Sequence, residues 1–226
     1  MSLILNIDTA TETAHVSIAK DGIGLRDQFN MDQYSHASFV QPAIKNILKD
    51  AGINISNIDA IAVTAGPGSY TGIRVGMASA KGLCYALNKP LITLSTLECM
   101  SKAVALQQKE DNKILFCPMI DARRMEAYTA IYDSSLNIIL SPCALIINED
   151  SFYEYLNNYK MVFFGSGSIK WKNICTHPGA TFIEAPNNSL AMSQLSFKNY
   201  SANMHVFTDV AYAEPFYIKE FYTKNG

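Results

Sequence analysis

Two loops in the first half of the sequence combine residue types that could bind a phosphate or a metal ion. Asp8, Thr9 and Thr11 place a carboxylate and two hydroxyls directly after an apolar stretch. Gly66 and Gly68 flank a proline just before a segment of helical character, where glycine N–H groups could approach an anion. Both patterns also occur in loops that only turn the chain and cap it with short polar side chains. The residues alone leave both interpretations open.

Two loops in the second half repeat these residue types. Asp121 and Arg123 belong to a charged turn, Asp-Ala-Arg-Arg-Met-Glu, which follows another apolar stretch. Gly165 and Gly167 follow a further apolar stretch and could lie beside a nucleoside or simply lead into a helix. Most charged turns are solvated, but this turn holds the same place in its half of the chain as Asp8 does in the first. It is therefore a second candidate for a carboxylate with a chemical role.

Several motifs of known chemistry are missing. The segment 63–76 lacks the Gly-Lys-Ser/Thr ending of a P-loop and the Gly-x-Gly-x-x-Gly spacing of a dinucleotide site. The sequence contains no His-Glu-x-x-His and no Gly-x-Ser-x-Gly, and no histidine pair stands at ligand spacing with a carboxylate. His36 is interpreted as a residue near a helix cap rather than as a ligand. The motifs thus predict no catalytic residue and no metal ligand.

Composition limits the classes of partner. The 226 residues are 49% hydrophobic and only 17% charged, whereas an average domain is about 25% charged. This deficit predicts additional buried surface, such as a partner interface. Lys and Arg number 18 against 20 Asp and Glu, giving a net charge of −2. Contact with RNA should therefore be local or shared with a partner.

Further patterns indicate a cytoplasmic protein without membrane contact. The sequence begins with no basic signal-peptide region, and no apolar run approaches the roughly 18 residues of a membrane span. The 5 cysteines are an odd number without Cys-x-x-Cys spacing. This usage is typical of reduced core thiols rather than of a disulfide framework or a zinc site.

Apolar periodicity predicts the elements that position these loops. Each half shows three strands, a helix, a strand and a glycine loop in the same order. The polar stretch 107–112 has the composition of a linker, so we predict subdomains at 1–108 and 109–226. The second is expected to be the smaller folded unit, because its tail is expected to pack back on the first. The predicted fold class is α/β, with an internal duplication that leaves no sequence repeat.

One helix, predicted at 71–88, presents unusually small residues. Gly72, Gly76 and Ala80 fall four residues apart and leave one side of the helix almost bare. Each internal glycine costs about 1 kcal/mol of helix propensity relative to alanine, so another element is expected to approach closely there. That element could be the chain's own first helix, another subunit, or both.

The duplicated plan resembles the superfamily of sugar kinases, Hsp70 and actin. This resemblance implies two actin/Hsp70-like (ribonuclease H-like) subdomains, each a mixed sheet with flanking helices. Within the superfamily, seven motifs resemble the TsaB family of bacterial tRNA threonylcarbamoyladenosine biosynthesis proteins. They are Asn-Ile-Asp-Thr-Ala-Thr at 6–11, Tyr-Ser-His-Ala at 34–37, Gly-Pro-Gly-Ser-Tyr-Thr-Gly-Ile-Arg-Val-Gly at 66–76, Ser-Thr-Leu-Glu at 95–98, Asp-Ala-Arg-Arg-Met-Glu at 121–126, Gly-Ser-Gly at 165–167 and Glu-Pro-Phe-Tyr-Ile-Lys at 214–219. The last has Ile and Lys where the family usually has Leu and Arg.

The resemblance implies a subunit without catalytic activity. Family members help a TsaD transferase to place a threonylcarbamoyl group on adenosine 37 of tRNAs that read codons beginning with A. The implied partners are a TsaD-like transferase in a heterodimer and a TsaE-like ATPase in the assembled complex. A homodimer is expected for the isolated chain, because its apolar surface would otherwise stay uncovered. With few clustered Lys and Arg, the chain is expected to contact tRNA only indirectly.

The resemblance also implies that a metal site has been lost. Catalytic relatives carry a metal-binding His pair where this sequence has Thr96 and Met100. A hydroxyl and a thioether cannot replace two imidazoles. Ala10 stands where many phosphotransferases of this fold carry glycine, so ATP or ADP is expected only in complex with partners.

Two residue sets follow from the resemblance. The expected partner interface lies on the helices near 37–51 and 71–87 and comprises Phe39, Val40, Ala43, Ile44, Ile47, Gly72, Ile73, Val75, Gly76, Ser79, Ala80 and Leu83. The expected degenerate cleft loops contain Asp8, Thr9, Thr11, Gly66, Gly68, Asp121, Arg123, Gly165 and Gly167. The alternative is an enzyme in its own right, either a stand-alone phosphotransferase or a metal-dependent, peptidase-like transferase. Such an enzyme would need the carboxylates of Asp8 and Asp121.

Overall fold

The first half of the chain forms a mixed five-stranded sheet. The computed structural model describes residues 1–108, 111, 113–202 and 208–219. The first five strands are β1 (Leu3–Asp8), β2 (Ala14–Lys20), β3 (Ile23–Asn30), β4 (Ala60–Gly66) and β5 (Leu91–Ser95). Their order in the sheet is β3-β2-β1-β4-β5. β1 pairs antiparallel with β2 and parallel with β4.

Three helices accompany this sheet, namely α1 (His36–Ala51), α2 (Tyr70–Leu87) and α3 (Thr96–Ala105). Serine hydroxyls begin two of them, because Ser69 accepts a hydrogen bond from the Gly72 amide and Ser95 accepts one from the Glu98 amide. α1 ends at Gly52, whose φ of 67° satisfies the left-handed cap position.

The second half forms another mixed five-stranded sheet. Its strands are β6 (Ile114–Asp121), β7 (Glu126–Tyr132), β8 (Ile138–Ile146), β9 (Lys160–Phe164) and β10 (Ala180–Phe182). Its helices are α4 (Tyr153–Leu156), α5 (Ser168–Lys172) and α6 (Ser189–Ala202). The sheet order is β10-β9-β6-β7-β8, and β6 pairs antiparallel with β7 and parallel with β9.

The two sheets have the same topology. Reversing the second order gives β8-β7-β6-β9-β10, which matches β3-β2-β1-β4-β5 strand for strand. The predicted fold class, two duplicated mixed sheets with flanking helices, is thereby confirmed.

The first sheet is covered by helices on both faces. Leu5 and Ile7 of β1 point into one core with α1 and α2, whereas Ile4 packs with α3 and α6 on the other face. This alternation follows the two-residue period of a strand. Because β1 is a central strand that is buried on both faces, its apolar residues point to both faces of the sheet.

α3 lies between the two sheets. Cys99 of this helix packs in the core of the first sheet, while Leu97 and Val104 pack with residues of β6, β7 and β9. The far side of the second sheet has its own core around Trp171, Phe163 and Phe152.

Some local patterns differ from the structure or fall outside the description. The pattern of residues 150–158 predicts a helix, but the structure has only the single turn α4 there, and no pattern indicated β10. Lys109, Glu110 and Asn112 of the expected linker lie outside the described residues. The subdomain boundary between residues 108 and 109 stays a prediction.

The C-terminal part of the chain returns to the first sheet. α6 packs on the face of β1 opposite α1 and α2. The segment 208–219, called the C-terminal segment below, begins with a bridge between Thr208 and Leu91. Ala213 of this segment is buried in the first core, and the Phe216 amide donates to the Ala65 carbonyl over 2.7 Å.

Candidate functional site at the cleft between the sheets

The carboxylate at the end of β1 is buried within the protein. Asp8 is only 1% exposed. Its Oδ1 accepts hydrogen bonds from the Thr64 hydroxyl at 2.7 Å and from the Ala10 amide at 3.0 Å. Its Oδ2 accepts one from Asn188 Nδ2 at 2.7 Å, across 180 residues of sequence. Both oxygens therefore bind groups of the same chain.

His15 faces Asp8 on the neighbouring strand. The two residues are register partners, and His15 Nδ1 lies 3.8 Å from Asp8 Oδ2. Burial lowers the pKa of His15, against the attraction of Asp8 and Asp27, because a charged imidazole would lose its hydration. His15 Nε2 has no hydrogen-bond partner among the described residues. The imidazole is thus held neutral and serves as a packing group on Phe29, with ring centroids 5.5 Å apart.

The bare face of α2 packs against the loop that follows β1. A Cβ atom added at Gly72 would overlap the Thr9 carbonyl, and one added at Gly76 would overlap the Thr9 hydroxyl. That hydroxyl donates to the Gly72 carbonyl over 2.7 Å. The close approach predicted from the small residues is present. At Gly72 and Gly76 the element that makes it is the first loop of the same chain, whereas Ala80 packs in the core that α2 shares with α1.

The glycine loop between β4 and α2 is likewise filled. A Cβ at Gly68 would overlap the Ala10 carbonyl, which also accepts the Ser69 amide at 2.7 Å. A Cβ at Gly66, where φ is 119°, would come within 2.6 Å of the Phe216 carbonyl. The carbonyl groups of Phe216 and Ala10 therefore occupy the space beside Gly66 and Gly68. An anion would have to approach the loop at these two positions.

The second pair of loops is closed in a different way. Asp121 is 42% exposed, and its Oδ1 accepts from Lys170 Nζ and from the Arg123 amide, each at 2.5 Å. A Cβ at Gly165 would meet the Met119 carbonyl at 2.5 Å, and Gly167 lies against Ile120. The carboxylate at the end of β6 is therefore a surface group in an ion pair.

A cavity of about 340 Å³ lies between the two halves. Among the predicted cleft residues, only Thr11 and Gly165 line it, together with residues that the sequence did not indicate. These include Phe29, Met31, Ile120, Pro186, Asn187 and Asn188. None of the described residues that line the cavity is Lys or Arg. This set is a poor match for a polyphosphate, because none of the described lining residues could balance its charge and the glycine loops are filled.

Thr96 and Met100, aligned with the missing His pair, lie near this cavity on α3. Thr96 is fully buried, and its hydroxyl has no hydrogen-bond partner among the described residues. Met100 lines the cavity and contacts Gly165. In the described part of the chain, no group of three or more His, Cys, Asp and Glu side chains could hold a metal ion.

The residues predicted for a partner interface divide into two groups. Eight of them are buried in the first half, and these are Val40, Ala43, Ile44, Ile47, Gly72, Ile73, Gly76 and Ala80. Phe39, Val75, Ser79 and Leu83 are half-buried. Exposed positions on the same helices include Pro42, Ala78, Gly82 and Tyr85. A partner can therefore reach only the outer rows of α1 and α2.

The architecture and this cleft define a two-sheet α/β protein of a type already seen in crystal structures. The fold is shared with an uncharacterized protein similar to peptidase YEAZ from Pseudomonas aeruginosa, with a TM-score of 0.83 and 23% identity over 97% of this chain and 100% of the other. It is also shared with YeaZ from the same organism, with a TM-score of 0.77 and 24% identity over 96% and 100%.

The sequence defines the family. Residues 31–214 match the model of TsaD: tRNA N6-adenosine threonylcarbamoyltransferase, and the chain therefore belongs to this family. It is 36% identical over 134 residues to the tRNA threonylcarbamoyladenosine biosynthesis protein TsaB of Escherichia coli, covering 59% of this chain and 56% of that protein. The Bacillus subtilis TsaB is 32% identical over 57% of this chain and 54% of its own length.

These relatives confirm the resemblance to TsaB proteins that the motifs indicate. The chain spans about half the length of the curated relatives it matches. In the described part of the chain, no helix has the length and apolar character needed to cross a membrane.

Proposed function

We propose that this chain is a non-catalytic subunit in the formation of threonylcarbamoyladenosine at position 37 of tRNAs that read codons beginning with A. It pairs with and activates a TsaD-like transferase. The observation that carries the proposal is the state of Asp8, whose two carboxylate oxygens accept three hydrogen bonds from the chain itself. The names of the curated relatives supply the pathway.

The closed cleft argues against an enzyme acting alone. A phosphotransferase or a metal-dependent transferase would need Asp8 and Asp121 to meet a substrate or a cation. Asp8 is enclosed, and Asp121 is paired with Lys170. A buried hydroxyl and a thioether at Thr96 and Met100 are poor ligands for a divalent metal. On this proposal no nucleotide binds firmly to the chain alone, and ATP or ADP binds only within the complex.

The partner surface is the outer side of α1 and α2. Small side chains at Ala78 and Gly82 let another helix approach closely, and a Cβ at Gly82 would meet nothing within 4 Å. Leu83 and Val75 supply half-buried apolar area beside them. Without the transferase a second copy of the chain covers this surface. A TsaE-like ATPase joins the assembled cytoplasmic complex.

Depletion of the chain in its source organism, followed by mass analysis of tRNA nucleosides, tests the pathway. We expect threonylcarbamoyladenosine to disappear and to return when the gene is restored. Unchanged modification after complete depletion would contradict the proposal. Purified chain that binds micromolar ATP or stoichiometric metal without a partner would favour the enzyme instead.

The same restored strain tests the surface. Gly82→Arg adds bulk at an open helix position, so folding should be retained while pairing with the transferase and tRNA modification are lost. Gly24→Arg is the matched control, because Gly24 is also exposed and open but lies on β3. Equal pull-down of the transferase by both variants would remove α2 from the interface. Gly76→Leu would be uninformative, since Thr9 fills that position.

A further inference from the structure

Five cations gather where the C-terminal segment crosses from the first half to the second. Arg74 Nε donates to the Tyr217 hydroxyl at 2.9 Å. Two residues further along, Lys219 pairs with Glu126 of β7. We call the surface formed by Arg74, Arg123, Arg124, Lys170 and Lys219 the basic face.

Two carboxylates of the basic face are already paired. Lys170 binds Asp121, and Lys219 binds Glu126. Neither Arg123 nor Arg124 forms an ion pair with any described residue. With Glu214 of the C-terminal segment counted, the face holds five cations against three carboxylates. This local excess stands out in a chain whose net charge is −2.

Aromatic rings lie among these cations. The Arg74 guanidinium carbon is 3.9 Å from the centre of the Tyr70 ring and 6.0 Å from that of Tyr217. Phe216 and Tyr217 are 49% and 40% exposed. Guanidinium groups that neutralise phosphates, beside rings on which bases can stack, form the usual chemistry of single-stranded RNA recognition.

The two unpaired arginines occupy a turn that does not favour them. Arg123 has φ of 69° and Arg124 has φ of 49°. The turn is closed by hydrogen bonds from the Ala122 amide to the Glu126 carbonyl and from the Glu126 amide to the Arg123 carbonyl. Left-handed backbone favours Gly and Asn, so arginine at both positions costs stability. The fold therefore gains nothing from these side chains, which project unpaired at the surface.

We propose that the basic face binds the phosphate backbone of RNA, with Arg123 and Arg124 as its main anionic contacts. That this RNA is the tRNA substrate rests on the proposed function. On this proposal the chain contacts tRNA directly, through one local group of cations rather than through its net charge.

Fluorescence anisotropy of the full chain with a labelled, unmodified tRNA transcript tests the inference between 50 and roughly 200 mM salt. The double substitution Arg123→Asn with Arg124→Gly should weaken binding by at least about fivefold and lower the salt slope by about 2. The melting temperature of this variant should stay equal or rise, because Asn and Gly suit the turn. Lysine at both positions should keep the salt slope.

Arg26→Gln is the matched control, since Arg26 is an exposed arginine on β3 and far along the chain from the basic face. An equal loss for Arg26→Gln and the double variant would overturn the inference. So would a wild-type chain that does not bind the transcript, or displacement of RNA by micromolar ATP. RNA binding that depends on Arg123 and Arg124, in a protein whose depletion leaves tRNA modification unchanged, would sustain this inference and contradict the proposed function.

Discussion

The aspartates that end β1 and β6 occupy equivalent places in the two halves but have opposite surroundings. Asp8 is 1% exposed and accepts three uncharged donors, whereas Asp121 is 42% exposed and pairs with Lys170. The backbone plan of the duplication is thus retained while its two loops differ. The first loop has become part of the protein core, and the second remains a surface turn.

Elements from the end of the chain create this difference. Asn188, next to the start of α6, reaches Asp8, and the C-terminal segment covers Gly66. Of the described chain beyond β10, only Lys219 reaches the second loop, where it pairs with Glu126 at the surface and leaves Asp121 exposed. The second loop therefore stays open to solvent, and its turn contributes Arg123 and Arg124 to the basic face.

The largest expected effect is the loss of Asp8. Asp8→Ala leaves the Thr64 hydroxyl, the Ala10 amide and the Asn188 amide without their acceptor in a buried site. We expect the free energy of unfolding to fall by about 3 kcal/mol, measured by urea denaturation. The matched change Asp121→Ala removes an exposed ion pair and should cost less than about 1 kcal/mol. Equal losses would mean that the two loops are not distinguished by burial.

The next largest effect is the loss of stability when a glycine that packs against the Asp8 loop or the Asp121 loop is replaced by alanine. Gly72→Ala would overlap the Thr9 carbonyl and should destabilise the fold by about 2 kcal/mol in the same measurement. Gly167→Ala in the second half meets the Ile120 carbonyl carbon at 3.0 Å and Ala127 Cβ at 3.1 Å, which a shift of a few tenths of an ångström relieves, so its cost should be lower. Gly82→Ala is the control for helix propensity and should stabilise α2 by up to about 1 kcal/mol. A stabilising Gly72→Ala would contradict the packing of α2 on the first loop.

The sequence predicted the fold better than the site for a physical reason. Periodicity reports which residues face a core, so the order of strands and helices along each half followed from local patterns. Periodicity does not show which residue, distant in the sequence, packs against the glycines of a helix. The small residues of α2 indicated a close approach, but its partner, Thr9, is separated by a whole strand meander and α1.

Contacts over long sequence distances account for the other omissions. The bond between Asn188 and Asp8 spans 180 residues, and no motif near Asn188 distinguishes it from an ordinary helix start. His15 lies on a strand whose alternation predicts burial, yet nothing in that pattern places it opposite Asp8. The short β10, with three residues, carries too little periodicity to be predicted.

The smallest expected effect is a pH dependence confined to the first half. β2 places His15 opposite Asp8, whereas β7 places Ala127 opposite Asp121. Burial lowers the pKa of His15 below its ordinary value of about 6.5, so below that pH the unfolded chain binds a proton that the folded chain excludes. The folded state should therefore lose stability as the pH falls from about 6.5 towards 5, by at most about 1.4 kcal/mol per pH unit for this one group.

His15→Gln isolates this group, because glutamine stays neutral at every pH. We expect urea unfolding of the variant to show a shallower decline in stability over the same interval than the wild-type chain shows. The variant and the wild type can differ in stability at pH 7.5, because the test compares only how steeply the free energy of unfolding changes with pH. If the two slopes coincide, His15 accepts its proton in the folded state as readily as in the unfolded one. The buried pair of His15 and Asp8 would then not account for any loss of stability at low pH.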